Sequence, residues 1–302
     1  MAIFDVEADL LDNLKWYEQA YNNANPSTFK NPTVYDMNVS DLDVVPITTE
    51  FESIPQLTNS ASQIVRNATS EKQSQTVLFS EKSIETFSRS TTEGYKIGSS
   101  IKSTTSFKVK VGFLVSGEIS QSIEVAVTGE YNHSSTETTT TTNEKLWQVT
   151  QPVIIPPYTQ VTATLQIFSG PFVVPAKTKA TIQGKGIING TPNWSSFINY
   201  TKYDGRYWNA YNRATALYTD RNSWPGYKKI YVGTGSATSS LRLEGEARIN
   251  AQVGLYAVTE FKESPLPGYA GTGSNRTYYA PNIILGDGSI IQFPEYQRYL
   301  QR

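Results

Sequence analysis

From Ile101 to Tyr131 hydrophobic and polar positions alternate almost without a break. Ile101, Phe107, Val109, Val111, Phe113, Val115, Ile119, Ile123, Val125 and Val127 hold odd positions. Lys102, Thr104, Lys108, Lys110, Glu118, Glu124 and Glu130 hold even ones. A period of two puts these sets on opposite faces of a β-ribbon. Ordinary strands run about 5–6 residues, so about thirty patterned residues require a hairpin with long arms. With the turn centred on Ser116, residues whose numbers sum to 232 stand opposite each other. Lys108 then meets Glu124, Lys102 meets Glu130, Val109 meets Ile123, Phe107 meets Val125, and Phe113 meets Ile119. Unlike charges face each other and apolar groups pair, which supports a register. One arm spans about 50 Å at ~3.3 Å per residue, and a membrane crossing takes only about 9–11 tilted residues. Such a ribbon suits a transmembrane barrel. It also suits a soluble antiparallel strand with one face on a core and one in water.

The flanks extend the β pattern. QSQTVLFSEKSIETFSRSTTEGYKIGSS leads in and TGEYNHSSTETTTTTNEKLWQVTQ leads out, both dense in Ser and Thr and nearly free of proline. Threonine is a strong strand former, so these read as long strands whose faces are polar enough to meet water on either side. Such strands specify register weakly, which suits a segment that changes neighbours. Strands interrupted by Pro46 and Pro55 are expected from Val44 to Arg66, and alternating strands again at Val161–Ile167, Phe172–Ile182 and Leu241–Phe261. Asn189-Gly190 and Asp287-Gly288 are hairpin-turn signals. One helix is expected at the N-terminus: Asp5 can cap it, and Val6, Leu10, Leu14, Tyr17 and Tyr21 recur at helical spacing through Asn22.

Composition narrows the function. The chain has 302 residues, a formal net charge of −1 and no cysteine. No excess of positive charge suggests a nucleic-acid partner, and disulfides, thiolate metal sites and a cysteine nucleophile are excluded. No apolar run approaches the ~18 residues of a membrane helix. MAIFDVEADLL lacks the basic segment of a signal peptide, so export is expected to use another route or to follow removal of a leader. The single histidine, His133, supports neither a metal cluster nor a catalytic triad. The two Gly-Thr-Gly-Ser stretches lack the phosphate-loop lysine and read as turns. Asp41/Asp43 and Glu50/Glu52 read as solvated strand faces. No cofactor, metal or enzymatic activity is expected.

From Trp194 to Tyr231 the texture changes to a crowded aromatic stretch rich in Asn, Arg and Gly. Trp194, Tyr200, Tyr203, Tyr207, Trp208, Tyr211, Trp224 and Tyr227 are candidates for contacting a glycan or protein receptor, because Tyr and Trp faces stack on sugars and dominate interfaces. The same residues could instead form a small aromatic core. Beyond Lys262 the chain is rich in Pro and Gly, and Lys262 and Arg276 are candidate sites of proteolytic nicking. The tail is thus either an activation peptide or a permanent hairpin.

The long Ser/Thr strands, the embedded hairpin and the W-x-x-x-Q-P-V-x-x-P-P stretch at Trp147–Pro157 resemble the epsilon-toxin/Mtx2 family of aerolysin-like β-pore-forming toxins, in particular its insecticidal crystal and secreted members. The likeness covers Asn67 to Phe168 well and Gly245–Phe261 loosely. It implies a mainly β, elongated molecule with long antiparallel strands, a β-sandwich and a small head bearing the N-terminal helix. Residues 1–66 with 186–232 form the head on this reading. Residues 67–185 with 233–262 form the pore-forming and sandwich region, and 263–302 form the tail. It further implies a protoxin, secreted or laid down as a bacterial crystal inclusion, that exists as monomer or dimer in solution. After trimming, such a protein binds a cell-surface receptor and assembles a homo-oligomeric barrel in the lipid bilayer from one hairpin per subunit. In that barrel Phe107, Val109, Val111, Phe113, Leu114, Val115, Ile119, Ile123, Val125 and Val127 face lipid. Lys102, Lys108, Lys110, Glu118, Glu124 and Glu130 line the lumen. The competing class is a lectin or adhesin β-sandwich that uses the aromatic head and forms no pore.

Overall fold

The computed structural model describes residues 2–5, 8, 33–96, 101–115, 117, 119–187, 231–234 and 240–292. Its strands in chain order are β1 (Ala2–Asp5), β2 (Thr33–Pro46), β3 (Glu50–Ser53), β4 (Gln56–Asn67), β5 (Gln73–Lys96), β6 (Lys102–Val115) and β7 (Ile119–Asn132). They continue with β8 (Thr139–Ile155), β9 (Thr159–Ile187), β10 (Tyr231–Thr234), β11 (Ser240–Pro265), β12 (Arg276–Tyr279), β13 (Asn282–Leu285) and β14 (Ile290–Gln292). The mainly β fold follows from the Thr- and Val-rich alternation, and among the described residues only the β1–β5 and β3–β6 pairings are parallel.

β9 and β11 are the spine, antiparallel from Thr159–Pro265 to Gln183–Ser240. The 29 residues of β9 extend about 95 Å. On its other edge β9 carries β2 and β4, leaving a gap between Ser169 and Ala176. Pro171 and Pro175 fall in that gap, where a residue without an N–H cannot complete a ladder. There the chain steps off the spine. The Ile47 N–H donates to the Pro175 carbonyl at 2.9 Å, and β3 crosses to a second sheet with the order β3-β6-β7.

Two ribbons lie over the spine. β5 and β8 pair from Gln73–Ile155 to Arg89–Thr139 without a break in register. Val77, Phe79, Trp147, Val149, Val153 and Ile155 close a core with Val161, Leu165 and Phe261 of the spine. The expectation of two watery faces on these strands is therefore corrected over most of their length. Val77, Phe79, Ser83 and Phe87 of β5 and every odd position from Trp147 to Ile155 of β8 are buried, while the even face alongside them is wetter. β6 and β7 form the expected hairpin, but it turns one residue later than expected. Val115 pairs with Ile119 and Lys102 with Asn132, so paired numbers sum to 234 and the turn centres on Gly117, whose φ of 80° favours glycine. Lys108 faces Ala126 and reaches Glu124 diagonally at 2.5 Å, and Lys102 reaches Glu130 diagonally at 2.7 Å. The charge pairs that suggest the earlier register are real but diagonal, and an even offset leaves every side chain on its expected face.

Residues 33–66, expected in the head, pair along the spine or the hairpin sheet. The tail is also woven in: β12 and β13 pair with β11, and β14 returns on β13 about the expected Asp287-Gly288 turn. The expected helix lies outside the described residues beyond its start, where β1 ends at Asp5 and the Asp5 carboxylate accepts from the Ala8 N–H at 3.0 Å. The Asn189-Gly190 turn lies outside them too.

The register is open to a direct test. Cysteines introduced by Lys110→Cys with Glu124→Cys, which stand directly opposite, should oxidise to a disulfide. Lys108→Cys with Glu124→Cys, offset by two residues, should remain as free thiols in mass spectra of the alkylated protein.

Candidate membrane-insertion hairpin

The odd face of the β6–β7 hairpin is dry. Val109, Val111, Phe113, Val115, Ile123, Val125 and Val127 are buried in one cluster with Phe87 of β5, Phe172 and Val174 of β9, and Ile249, Val253 and Leu255 of β11. Phe107 and Ile119 pack partly buried at its border. Phe113 stacks on Tyr256 at 5.7 Å between centroids, and Tyr256 stacks on Phe168 at 4.7 Å. The even face is in water, where Lys102, Lys108, Lys110, Glu124 and Glu130 are exposed. Glu118 lies outside the described residues.

Leu114 departs from the rest of its set. It occupies the even face, 47% exposed, near the tip. With Ile54, Pro55, Gly117, Phe168 and Tyr256 it lines an apolar cavity of about 610 Å³ beneath the turn. Ile54 is itself 78% exposed. The expected two-sided apolar tip is therefore present at Phe113-Leu114-Val115, with Leu114 alone turned outward.

At the hairpin stem, polar groups replace the apolar core. His133 is fully buried. Its Nδ1 lies 3.2 Å from the Tyr95 hydroxyl and its Nε2 2.7 Å from Ser103 Oγ. Its ring meets Tyr131 edge-on at 4.9 Å, and its N–H donates to the Ile101 carbonyl at 2.8 Å. His133 is thus a satisfied structural histidine that ties β5, β6 and β7 together. Burial pushes its pKa from 6.5 down to about 4, against a weaker upward pull from Asp43.

Further along β5 stands Arg89, one of the largest fully buried side chains. Its guanidinium donates to the Phe87 carbonyl at 3.2 Å, to Thr141 Oγ1 at 2.9 Å and to the Thr128 carbonyl, while Nε has no partner among the described residues. Gly129 makes room for it: a Cβ there would sit 2.5 Å from Nη2. Burial lowers the pKa of Arg89, as expected for a charge taken out of water. No pattern in the sequence singles out Arg89, because one arginine inside an alternating Ser/Thr strand looks like any exposed residue.

β3 wedges the hairpin onto the spine. Its outward residues face β6, with Glu50 opposite Lys110 and Glu52 opposite Gly112. The Lys110 N–H donates to the Thr49 carbonyl at 2.7 Å. Inward, Phe51 packs on Phe172 at 5.7 Å and Ser53 Oγ donates to the Pro171 carbonyl at 2.9 Å.

The receptor candidates Trp194, Tyr200, Tyr203, Tyr207, Trp208, Tyr211, Trp224 and Tyr227 lie outside the described residues. Lys262 sits within β11, paired with Thr162 on one side and Thr277 on the other. Arg276 begins β12 and binds the fully buried Glu263 carboxylate through two bonds of 2.8 and 2.9 Å. Both are exposed, as expected, but they lie in paired strands rather than in open chain; the stretch outside the strands is the Leu266–Asn275 turn between them. Among the described residues no group of three or more His, Asp or Glu could hold a metal ion.

A long amphipathic hairpin packed against long antiparallel strands, with polar contacts at its stem, places the fold in the aerolysin-like class. The chain belongs to the family of Clostridium epsilon toxin ETX and Bacillus mosquitocidal toxin MTX2, whose model matches residues 19–274. It is 34% identical over 274 residues to the pesticidal crystal protein Cry15Aa of Bacillus thuringiensis subsp. thompsoni, covering 89% of this chain and 75% of that protein. In fold it is similar to a chain of the Cry23Aa1 and Cry37Aa1 binary protein complex, with a TM-score of 0.60 at 23% identity over 96% of this chain and 100% of that one. It is equally similar to a non-toxic crystal protein from Bacillus thuringiensis, with a TM-score of 0.62 at 19% identity over 89% of this chain and 100% of that one.

Because the folded His133 binds its proton only near pH 4, its contribution to stability is complete above pH 6.5 and is lost as pH falls toward 4. The loss amounts to about 3 kcal/mol. Melting curves between pH 7 and 4 should show His133→Gln losing less stability on acidification than the unaltered chain, by about one proton of linkage.

Proposed function

We propose that this protein is a pore-forming toxin, insecticidal in action, whose stored β6–β7 hairpin becomes one subunit's share of a transmembrane β-barrel. One observation carries the reading: inward positions keep the same parity through all four strands from β5 to β8. They run from Val77, Phe79 and Phe87 through Val109 to Val127 and on to Trp147 and Ile155, odd throughout. If the stem straightens, residues 73–155 become one long hairpin whose buried apolar side chains share a face. That face is free of charged side chains over the inner hairpin from Phe107 to Val127, while in the outer ribbon it also carries Glu81, Glu85, Arg89 and Lys145, which suits an arm outside lipid. The outer ribbon pairs at a sum of 228 and the inner at 234, so the arms differ by six residues at the stem. An even difference lets one arm slide past the other without mixing faces.

Lipid could then replace the spine against Val109, Val111, Phe113, Ile123, Val125 and Val127, while Lys102, Lys108, Lys110, Glu118, Glu124 and Glu130 remain in water. A lone hairpin in lipid leaves its outer backbone groups unsatisfied, so several copies must close a ring. Receptor binding through the 194–227 aromatic stretch and proteolytic trimming complete the scheme.

With no native cysteine, each introduced one is unique. A polarity-sensitive dye at odd positions 123 and 125, which are buried in the folded chain, should keep an apolar emission on membranes and become quenched by lipid-borne quenchers. At even positions 122 and 126 it should keep a watery emission and escape those quenchers. Dye release from vesicles of insect midgut brush border should accompany the quenching after protease treatment. Binding without release would instead favour the lectin reading.

Trimming also has an expected pattern. The Leu266–Asn275 turn contains Leu266 and Tyr269 but no Lys or Arg. Chymotrypsin should therefore cut the native chain there faster than trypsin cuts at Lys262 or Arg276, which would require β11 and β12 to part. Residues 276–292 should stay with the body on gel filtration, since Ile283 and Leu285 are in the core.

A further inference from the structure

Charge is divided between the hairpin arms. On the outward face β6 carries Lys102, Lys108 and Lys110 and no acid, whereas β7 carries Glu124 and Glu130 and no base. Each arm has an outer backbone edge. That of β7 bears no strand among the described residues, and that of β6 bears only β3, paired over Glu50–Ser53 with Lys110–Phe113. Lys110 therefore stands between two glutamates, Glu124 of β7 on one side and Glu50 of β3 on the other. Glu52 extends the likeness: its carboxylate fills the side-chain space left by Gly112, where a Cβ would lie 2.5 Å from Oε1. A short, charged strand is a common way to blunt a sheet edge.

We propose that β3 is an internal stand-in for the β7 arm of a second copy of this chain, and that the outer edge of β6 is the surface on which that copy docks. The inference rests on the pore reading above. It names the contact by which neighbouring copies recognise each other, with the lysine arm of one against the glutamate arm of the next. The geometry favours exchange. β3 offers four residues in parallel pairing, whereas a second β7 offers up to fourteen in antiparallel pairing, which is the more stable per residue. What holds β3 in place lies on its other side, where Phe51 packs on Phe172 and Ser53 bonds to Pro171. The cap thus belongs to the body, and the hairpin can leave it behind.

The test uses the full chain with β3 locked or loosened. Glu50→Cys with Lys110→Cys should form a disulfide that holds the cap closed. Under oxidising conditions the protease-treated protein should bind midgut brush-border vesicles yet form no SDS-resistant oligomer, and dithiothreitol should restore oligomers to the unaltered level. Conversely, Glu50→Lys, a change between exposed side chains that leaves the core intact, should speed amide exchange at residues 110–113. It should also lower the concentration needed for half-maximal oligomer several-fold, and an added Lys110→Glu should reverse both effects. If the locked protein oligomerises normally, or if Glu50→Lys opens the amides without easing assembly, β3 is not the cap. If the unaltered chain forms no oligomers on these membranes while remaining folded, the pore reading itself falls.

Discussion

An apolar face on a two-stranded ribbon must always be covered, and the rest of this molecule is arranged around that constraint. Seven large side chains on the odd face of the hairpin are buried against the spine. At ~1.5–3 kcal/mol each, exposing them to water would cost roughly 10–20 kcal/mol, as much as the whole stability of an ordinary domain. The hairpin therefore cannot swing free in solution and wait. On the pore reading it moves only from one apolar bed to another, and a bilayer or a neighbouring copy must be at hand when it leaves. The spine accounts for its own length in the same way: β9 and β11 are long enough to bed two ribbons end to end, one over Val161–Ile167 and the other over Phe172 and Val174.

The stem shows how such a bed can be firm yet releasable. Where the apolar cluster ends, the contacts become directional and polar. His133 bridges Tyr95 and Ser103, and Arg89 reaches the Thr128 carbonyl with no carboxylate among its hydrogen-bond partners in the described residues. A buried cation held only by neutral acceptors recovers little of its desolvation cost. Those groups regain water as soon as the stem opens, so the stem is where the stored state is least deeply held.

Much of this was legible in the sequence because period-2 alternation is a local signal. The hairpin, its two faces, the long flanking strands and the turn at Asp287-Gly288 all follow from residues a few positions apart. The register was missed by two because Lys108 and Glu124 attract across a diagonal as well as directly, so charge matching alone does not separate the alternatives. The flanks were read as wet on both sides because Ser83, Arg89, Thr91 and Gln151 are polar residues that the fold nonetheless buries. Packing partners that lie more than a hundred residues away, such as Phe261 of the spine in the same core as Val77 and Trp147, leave no local trace. Nor did anything mark Glu50 and Glu52 as more than a solvated face, since their meaning comes from a lysine sixty residues later.

The six-residue difference between the arms has a mechanical side. Fully extended, six residues are about 20 Å of chain, held on the N-terminal side of the stem and absent from the other. In the folded chain that length is bound, because β5 runs past Arg89 to Lys96 and pairs there with β11 and β1. On the pore reading, its release from β11 and β1 lets the inner hairpin travel while the β5–β8 ribbon is still zipped, so departure and unzipping become separate events with separate barriers. A chain with equal arms would have to do both at once, and its sum of costs would stand as one wall.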